Sequence, residues 1–189
     1  MIRRVALVIL GLLAISIASV LALAATKPDT FRVARSISIK APPEQIFPLI
    51  NDLNRQLTWI PFDKDPAAKR AFGTIAAGKG AFYAWDGNSD VGQGSIEITE
   101  AMAPTKVAMK LDMVRPMEAH NVVEFTLDRG EGAGDTSVTW AMQGEQPFLG
   151  KVLSTFINCE KMVGSEFEKG LAKLKTLAEA APAEKQAAR

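Results

Sequence analysis

A carboxylate set among apolar residues is the feature of this chain with the most chemical potential. At about 100° per residue, Glu160 falls inside the apolar arc of a helical stretch, between the angular positions of Phe167 and Leu171. Carboxyl groups are rarely fully buried unless paired. Either a kink at Gly164 swings Glu160 to solvent, or it faces a cavity that holds water or ligand. In the second case burial disfavours the charged form, raises the pKa and suits the group to acid/base chemistry or to orienting a ligand. His120, the one histidine, is the other acid/base candidate.

A hydrophobic pocket also needs soft and aromatic walls with a few polar groups. Trp85, Trp140, Met109, Met113 and Phe156 are of the right type, although the same residues also suit a plain core. Alternation along Ala119–Asp128 puts Asn121 on the inner face with Val123 and Phe125, and sends His120 and Glu124 to solvent. Trp59 and Trp85 stand beside Pro61 and Asp86 at loop or strand ends, where a pocket mouth belongs. Asp86 or Asn88 is a ready partner for an indole N–H. The expected ligand-binding set is therefore Trp59, Trp85, Met109, Met113, Asn121, Trp140, Phe156 and Glu160. No residue is assigned as catalytic, and no cofactor or metal is expected.

These side chains are positioned by a simple order of elements. Phe31–Ile39 alternates as a strand and stops at Ala41-Pro42-Pro43. Glu44–Leu53 reads as a short helix, Asn54–Trp59 as a second, and Asp65–Ala71 as another turn or two of helix. Strands are predicted at Ala81–Trp85, Gly94–Ala101, Lys106–Met113, Ala119–Asp128 and Thr136–Gln143, separated by turn signals such as Asp86-Gly87-Asn88 and Gly130–Gly134. With no helix between them, these strands form an antiparallel meander. Phe148–Glu179 then reads as one amphipathic helix of about 45 Å, opened by Pro147 and too long to be buried except diagonally across a curved sheet. Gly164 and Gly170 within it signal close backbone approach or a mild kink. Cys159 reads as a small buried thiol near the border of the stripe.

The composition excludes several classes of function. Arg3 and Arg4 aside, 20 basic residues face 21 acidic ones, so no basic excess exists to neutralise phosphates and nucleic acid is not an expected partner. One cysteine and one histidine exclude an internal disulfide and the usual zinc sites. No nucleophile elbow, phosphate-binding loop or dinucleotide fingerprint is present.

The N-terminus carries two arginines and then 21 uncharged, mostly apolar residues, Val5–Ala25. That length spans a bilayer core, and the positive-inside rule places the domain C-terminal to it on the non-cytoplasmic side. The alternative is a signal peptide cleaved at Ala22-Leu23-Ala24, which would leave an exported soluble protein. The run exceeds the usual 7–15 residues of a signal h-region, which favours an uncleaved anchor. The chain thus divides into an N-terminal signal anchor or signal peptide (1–25), a domain (31–179) and a tail (180–189) read as disordered.

One strand, small helices, a meander and a long helix make up the helix-grip arrangement. The stretches GKGAFYAWDGN (78–88), VGQGSIEI (91–98), GDTSVTWAMQGE (134–145) and MVGSEFEKGLAKLK (162–175) resemble the polyketide cyclase/dehydrase-type START-like (SRPBCC) domains. The resemblance implies an α+β fold, with a curved antiparallel sheet wrapped around a long C-terminal helix, here preceded by the transmembrane or signal helix. It implies an internal cavity for a hydrophobic small molecule or lipid, used for binding or transfer, or alternatively for cyclase/dehydrase-like catalysis. The partners expected are that ligand and, through the N-terminal helix, the membrane.

Overall fold

The computed structural model describes residues 2–180. It begins with helix α1 (Ile2–Ala25), whose apolar side chains project into solvent along almost its whole length. Strand β1 (Thr30–Ile39) leads into α2 (Pro43–Asn51), where Pro43 at the helix start costs no intrahelical bond. The short α3 (Leu53–Gln56) is capped by Asp52, whose carboxylate accepts from the Asn54 amide at 2.9 Å. Six strands follow: β2 (Lys69–Phe72), β3 (Phe82–Asp86), β4 (Gln93–Met102), β5 (Lys106–Arg115), β6 (Ala119–Arg129) and β7 (Thr136–Glu145).

The seven strands make one antiparallel sheet in the order β1-β7-β6-β5-β4-β3-β2. The first strand therefore closes the sheet beside the last, and the rest form the meander. A register shift between Ile98 and Glu100 adds a bulge that bends β4, which helps the sheet to curve. One face is apolar, because alternation in β6 buries Asn121, Val123, Phe125 and Leu127 while His120 and Val122 face out. This is the helix-grip fold.

Two predicted elements differ. Asp65–Ala71 is not helical, since a turn at Pro66-Ala67 is followed by the edge strand β2, paired with β3 from Lys69↔Asp86 to Phe72↔Tyr83. Four residues give too short a window for period 2 to stand out from period 3.6. The predicted helix 148–179 is two helices, α4 (Phe148–Phe156) and α5 (Cys159–Ala180), parted at Ile157, whose backbone is extended (φ −119°, ψ 127°). Asn158 causes the restart by accepting from the Lys161 amide at 2.9 Å, as an N-cap does. A stripe drawn at 100° per residue across that break loses phase. Leu149, Leu153 and Phe156 are accordingly exposed, and so is Cys159. Ala180 closes α5, and the rest of the expected tail lies outside the described residues.

The core lies between the concave face and α5. Phe167, Leu171, Leu174 and Ala178 of α5 pack on Val33 and Ile39 of β1 and on Ile46 and Ile50 of α2. Gly170 permits this contact, because a Cβ there would sit 2.8 Å from the Trp140 indole and 3.0 Å from Pro61. Polar ties fasten the same end: the Gln45 amide donates to the Ala178 carbonyl at 2.7 Å and Lys175 donates to the Ser38 carbonyl at 2.8 Å.

Candidate ligand-binding cavity

Beneath the N-terminal half of α5 a cavity of about 370 Å³ opens between the helix and the strands away from β1. Its floor is built by alternation, from Trp85 of β3, Met109 and Met113 of β5, Asn121 of β6 and Trp140 and Met142 of β7. Val163 and Phe167 of α5 form the roof, and Ile60 and Phe62 close one side. The rim carries the charged groups, where Arg70 of β2 pairs with Asp63 and approaches Tyr83. Burial pushes the Tyr83 hydroxyl up to about 12, with the Asp63 charge adding to the rise, so it stays a neutral phenol at physiological pH.

An aromatic cluster separates the cavity from the solid core. Trp140 stacks on Phe167 at 4.1 Å between ring centroids and meets the edge of Trp59 at 5.7 Å. Two buried polar atoms of the lining residues, Asn121 Oδ1 and Trp140 Nε1, have no hydrogen-bond partner among the described residues. The Asn121 amide lies over Gly144 of the adjoining strand, where a Cβ would come within 2.1 Å of Oδ1. Leaving such groups unpaired costs about 1–3 kcal/mol each.

The structure brings Trp85, Met109, Met113, Asn121 and Trp140 together around this cavity, as the alternation of their strands requires. It places the other three elsewhere. Trp59 is fully buried behind Trp140, with its N–H donated to the Leu49 carbonyl at 2.9 Å, and is core rather than mouth. Phe156 is 71% exposed on α4. Glu160 is on the surface, where it accepts from Arg35 at 2.8 Å. Once the helix restarts at Cys159, the first turn of α5 overhangs the edge of the sheet, and the kink invoked to release Glu160 lies before it and not at Gly164. Gly164 instead makes room for Arg35, whose guanidinium would lie 2.0 Å from a Cβ there. The Trp85 N–H goes to the Val91 carbonyl at 3.1 Å rather than to Asp86 or Asn88. His120 faces solvent and bonds Asp112 at 2.6 Å, so neither acid/base candidate reaches the cavity.

Sequence reasoning missed Gln56 and Arg35. Gln56 is buried, lines the cavity and donates to Met109 Sδ at 3.5 Å. Its spacing of three from the core residue Leu53 was the available signal. Arg35 falls between Val33 and Ile37 on the inner face of β1, and pairs with both Glu160 and Glu168 of α5.

The comparisons agree with this geometry. A crystal structure of a Mesorhizobium loti protein superposes with a TM-score of 0.59 at 14% identity, over 80% of this chain and 99% of that one. A Chromobacterium violaceum protein gives 0.55 at 14% identity, over 82% and 100%. A Nitrosospira multiformis protein gives 0.56 at 17% identity, over 77% and 94%. At such identities the likeness is one of fold. No curated protein matches the sequence. The family model described as polyketide cyclase / dehydrase and lipid transport matches residues 30–179, so this chain belongs to that family.

Proposed function

We propose that the domain binds or transfers a hydrophobic small molecule or lipid in the cavity beneath α5, while α1 holds it on the non-cytoplasmic face of a membrane. The observation that carries this reading is a largely apolar cavity with a few polar residues, Gln56, Tyr83 and Asn121, in its lining. A ligand with an apolar body and one or two polar groups, such as a hydroxyl that both gives and accepts, suits that lining. Enclosure and apolar walls favour transport or storage over chemistry, since the acid/base candidates lie outside. Anchoring is supported by Arg3–Ala25, a stretch long and apolar enough to cross a bilayer, with none of its most apolar window buried.

The test uses full-length protein in detergent, with 1-decanol and decane as probes of tryptophan fluorescence. Both should bind, decanol more tightly by about 1 kcal/mol, the worth of one hydrogen bond. Asn121→Leu and Trp140→Phe should each narrow that preference while retaining decane. Failure of the wild type to bind either probe would overturn the proposal. Recovery of a mature form beginning after Ala24 would replace the anchor by a signal peptide and leave the cavity reading intact.

A further inference from the structure

Helix α4 is built inside out. Its charged residue, Lys151, is 7% exposed and pairs with Asp29, whereas Phe148, Leu149, Leu153 and Phe156 face solvent. These apolar residues recur at helical spacing on one side, and Ile157 and Met162 extend the patch past the break. An apolar surface of this kind on a small domain marks an interaction site.

Its neighbour identifies the occupant. Helix α4 packs against the end of α1, where Val20 and Ala24 lose exposure. Just beyond, Lys27 donates to Ser154 Oγ at 2.9 Å, so α4 lies level with the polar stretch that follows α1. The exposed faces of α1 and α4 are therefore continuous, and a bilayer that surrounds the first meets the second. Strand pairing adds a further placement. Thr30↔Glu145, Asn121↔Gly144, Met113↔Ala119 and Gln93↔Arg115 all lie at the end of the sheet from which α1 and α4 emerge. The cavity residues Asn121, Met113 and Met142 occupy that same end.

We infer that α4, with Ile157 and Met162, is an interfacial helix that beds the domain on the lipid surface beside its own span, with the cavity end of the sheet turned to the bilayer. An amphipathic helix lying in the interface plane buries Phe and Leu among the headgroups and keeps its polar side toward the protein. This rests on the anchoring reading above. It adds a second attachment, which fixes the orientation of the domain and gives an apolar ligand a path that does not cross bulk water.

Full-length protein carrying Cys159→Ser and Phe156→Cys, labelled with an environment-sensitive fluorophore, tests it in phosphatidylcholine/phosphatidylglycerol vesicles. Cosedimentation reports the span, and quenching by lipids spin-labelled near the headgroup reports α4. The expected result is cosedimentation with strong quenching at Phe156→Cys and at Leu149→Cys. A probe at Glu131→Cys, in the turn at the opposite end of the sheet, should remain unquenched. Cosedimentation with probes that stay in water overturns the interfacial helix and leaves the anchor standing. Absence of cosedimentation overturns both. A blue-shifted probe that lipid quenchers do not reach, and whose shift fades as protein is diluted among vesicles, would assign the face to a second copy of the chain and sink the proposal.

Discussion

The two halves of α5 meet the same sheet and do opposite things. Toward Ala178 the helix is pressed onto β1 and α2, and Leu171, Leu174 and Ala178 are buried to within 1%. Toward Cys159 it stands off the strands away from β1, and the space is left to the cavity. The difference comes from what fills the gap. At the closed end α2 supplies Ile46 and Ile50 and the sheet supplies Ile39 and Val138, enough apolar volume to reach native density. At the open end the helix offers Glu160, Gly164 and Val163, with Arg35 paired at the margin. Trp140 stacked on Phe167 is the partition between the two. A cavity in this fold is thus maintained by withholding side chains from one end, with the other end packed tightly enough to hold the helix.

The strongest way to break this comparison is to remove the partition. Phe167→Ala should cost about 3–5 kcal/mol, and Leu174→Ala at the closed end about 2–5 kcal/mol, in denaturant unfolding. Leu111→Ala, which faces the cavity and is only partly buried, should cost roughly half as much as Leu174→Ala, because its removed atoms had fewer neighbours. Equal losses at Leu111 and Leu174 would mean that the open end is as solid as the closed one.

The glycines sharpen the contrast further. Gly170→Ala drives a Cβ into Trp140 and Pro61, and overpacking of about 1–3 kcal/mol should exceed the gain of about 1 kcal/mol in helix propensity. Gly164→Ala meets the end of a flexible, partly exposed arginine that can shift aside, so the propensity gain should leave it near neutral or stabilising. The unfolding temperature should therefore fall for Gly170→Ala and hold or rise for Gly164→Ala.

The smallest effect concerns the tie between the cavity rim and α5. Lys169, and after it Lys64, hold the Glu166 carboxyl below the usual carboxylate range. A folded-state pKa below the unfolded value gives a contribution fully present above the unfolded value of about 4.3. It is lost as pH falls through the lower folded value. The Tm difference between wild type and Glu166→Gln should thus be constant from pH 7 to about 5 and shrink below about 4. A difference that grows on acidification would contradict the pairing.

Much of the inner face was legible in the sequence. Alternation alone placed Met109, Met113, Asn121 and Trp140 on one side of the sheet, because in an antiparallel strand with one buried face a slip of one residue exposes the whole apolar set. The same reasoning failed for Phe156 and Glu160, since a helical stripe accumulates phase and the break at Ile157–Asn158 reset it. The capping role of Asn158 was there to be read but competed with an uninterrupted apolar pattern. Trp59 looked like a mouth residue because it neighbours Pro61, yet the loop folds inward and its N–H finds the Leu49 carbonyl.

By itself the sequence determined the inner and outer faces of the long strands, the apolar N-terminal helix and the order of elements that makes a helix grip. Those follow from local periodicity and from the need of each apolar face to be covered. Only the tertiary structure decided that the long C-terminal segment is two helices, that Glu160 belongs to Arg35, and that the cavity lies at the end of the sheet from which α1 emerges. Each depends on which distant side chains compete for the same volume, and a pattern within one segment carries no record of that competition.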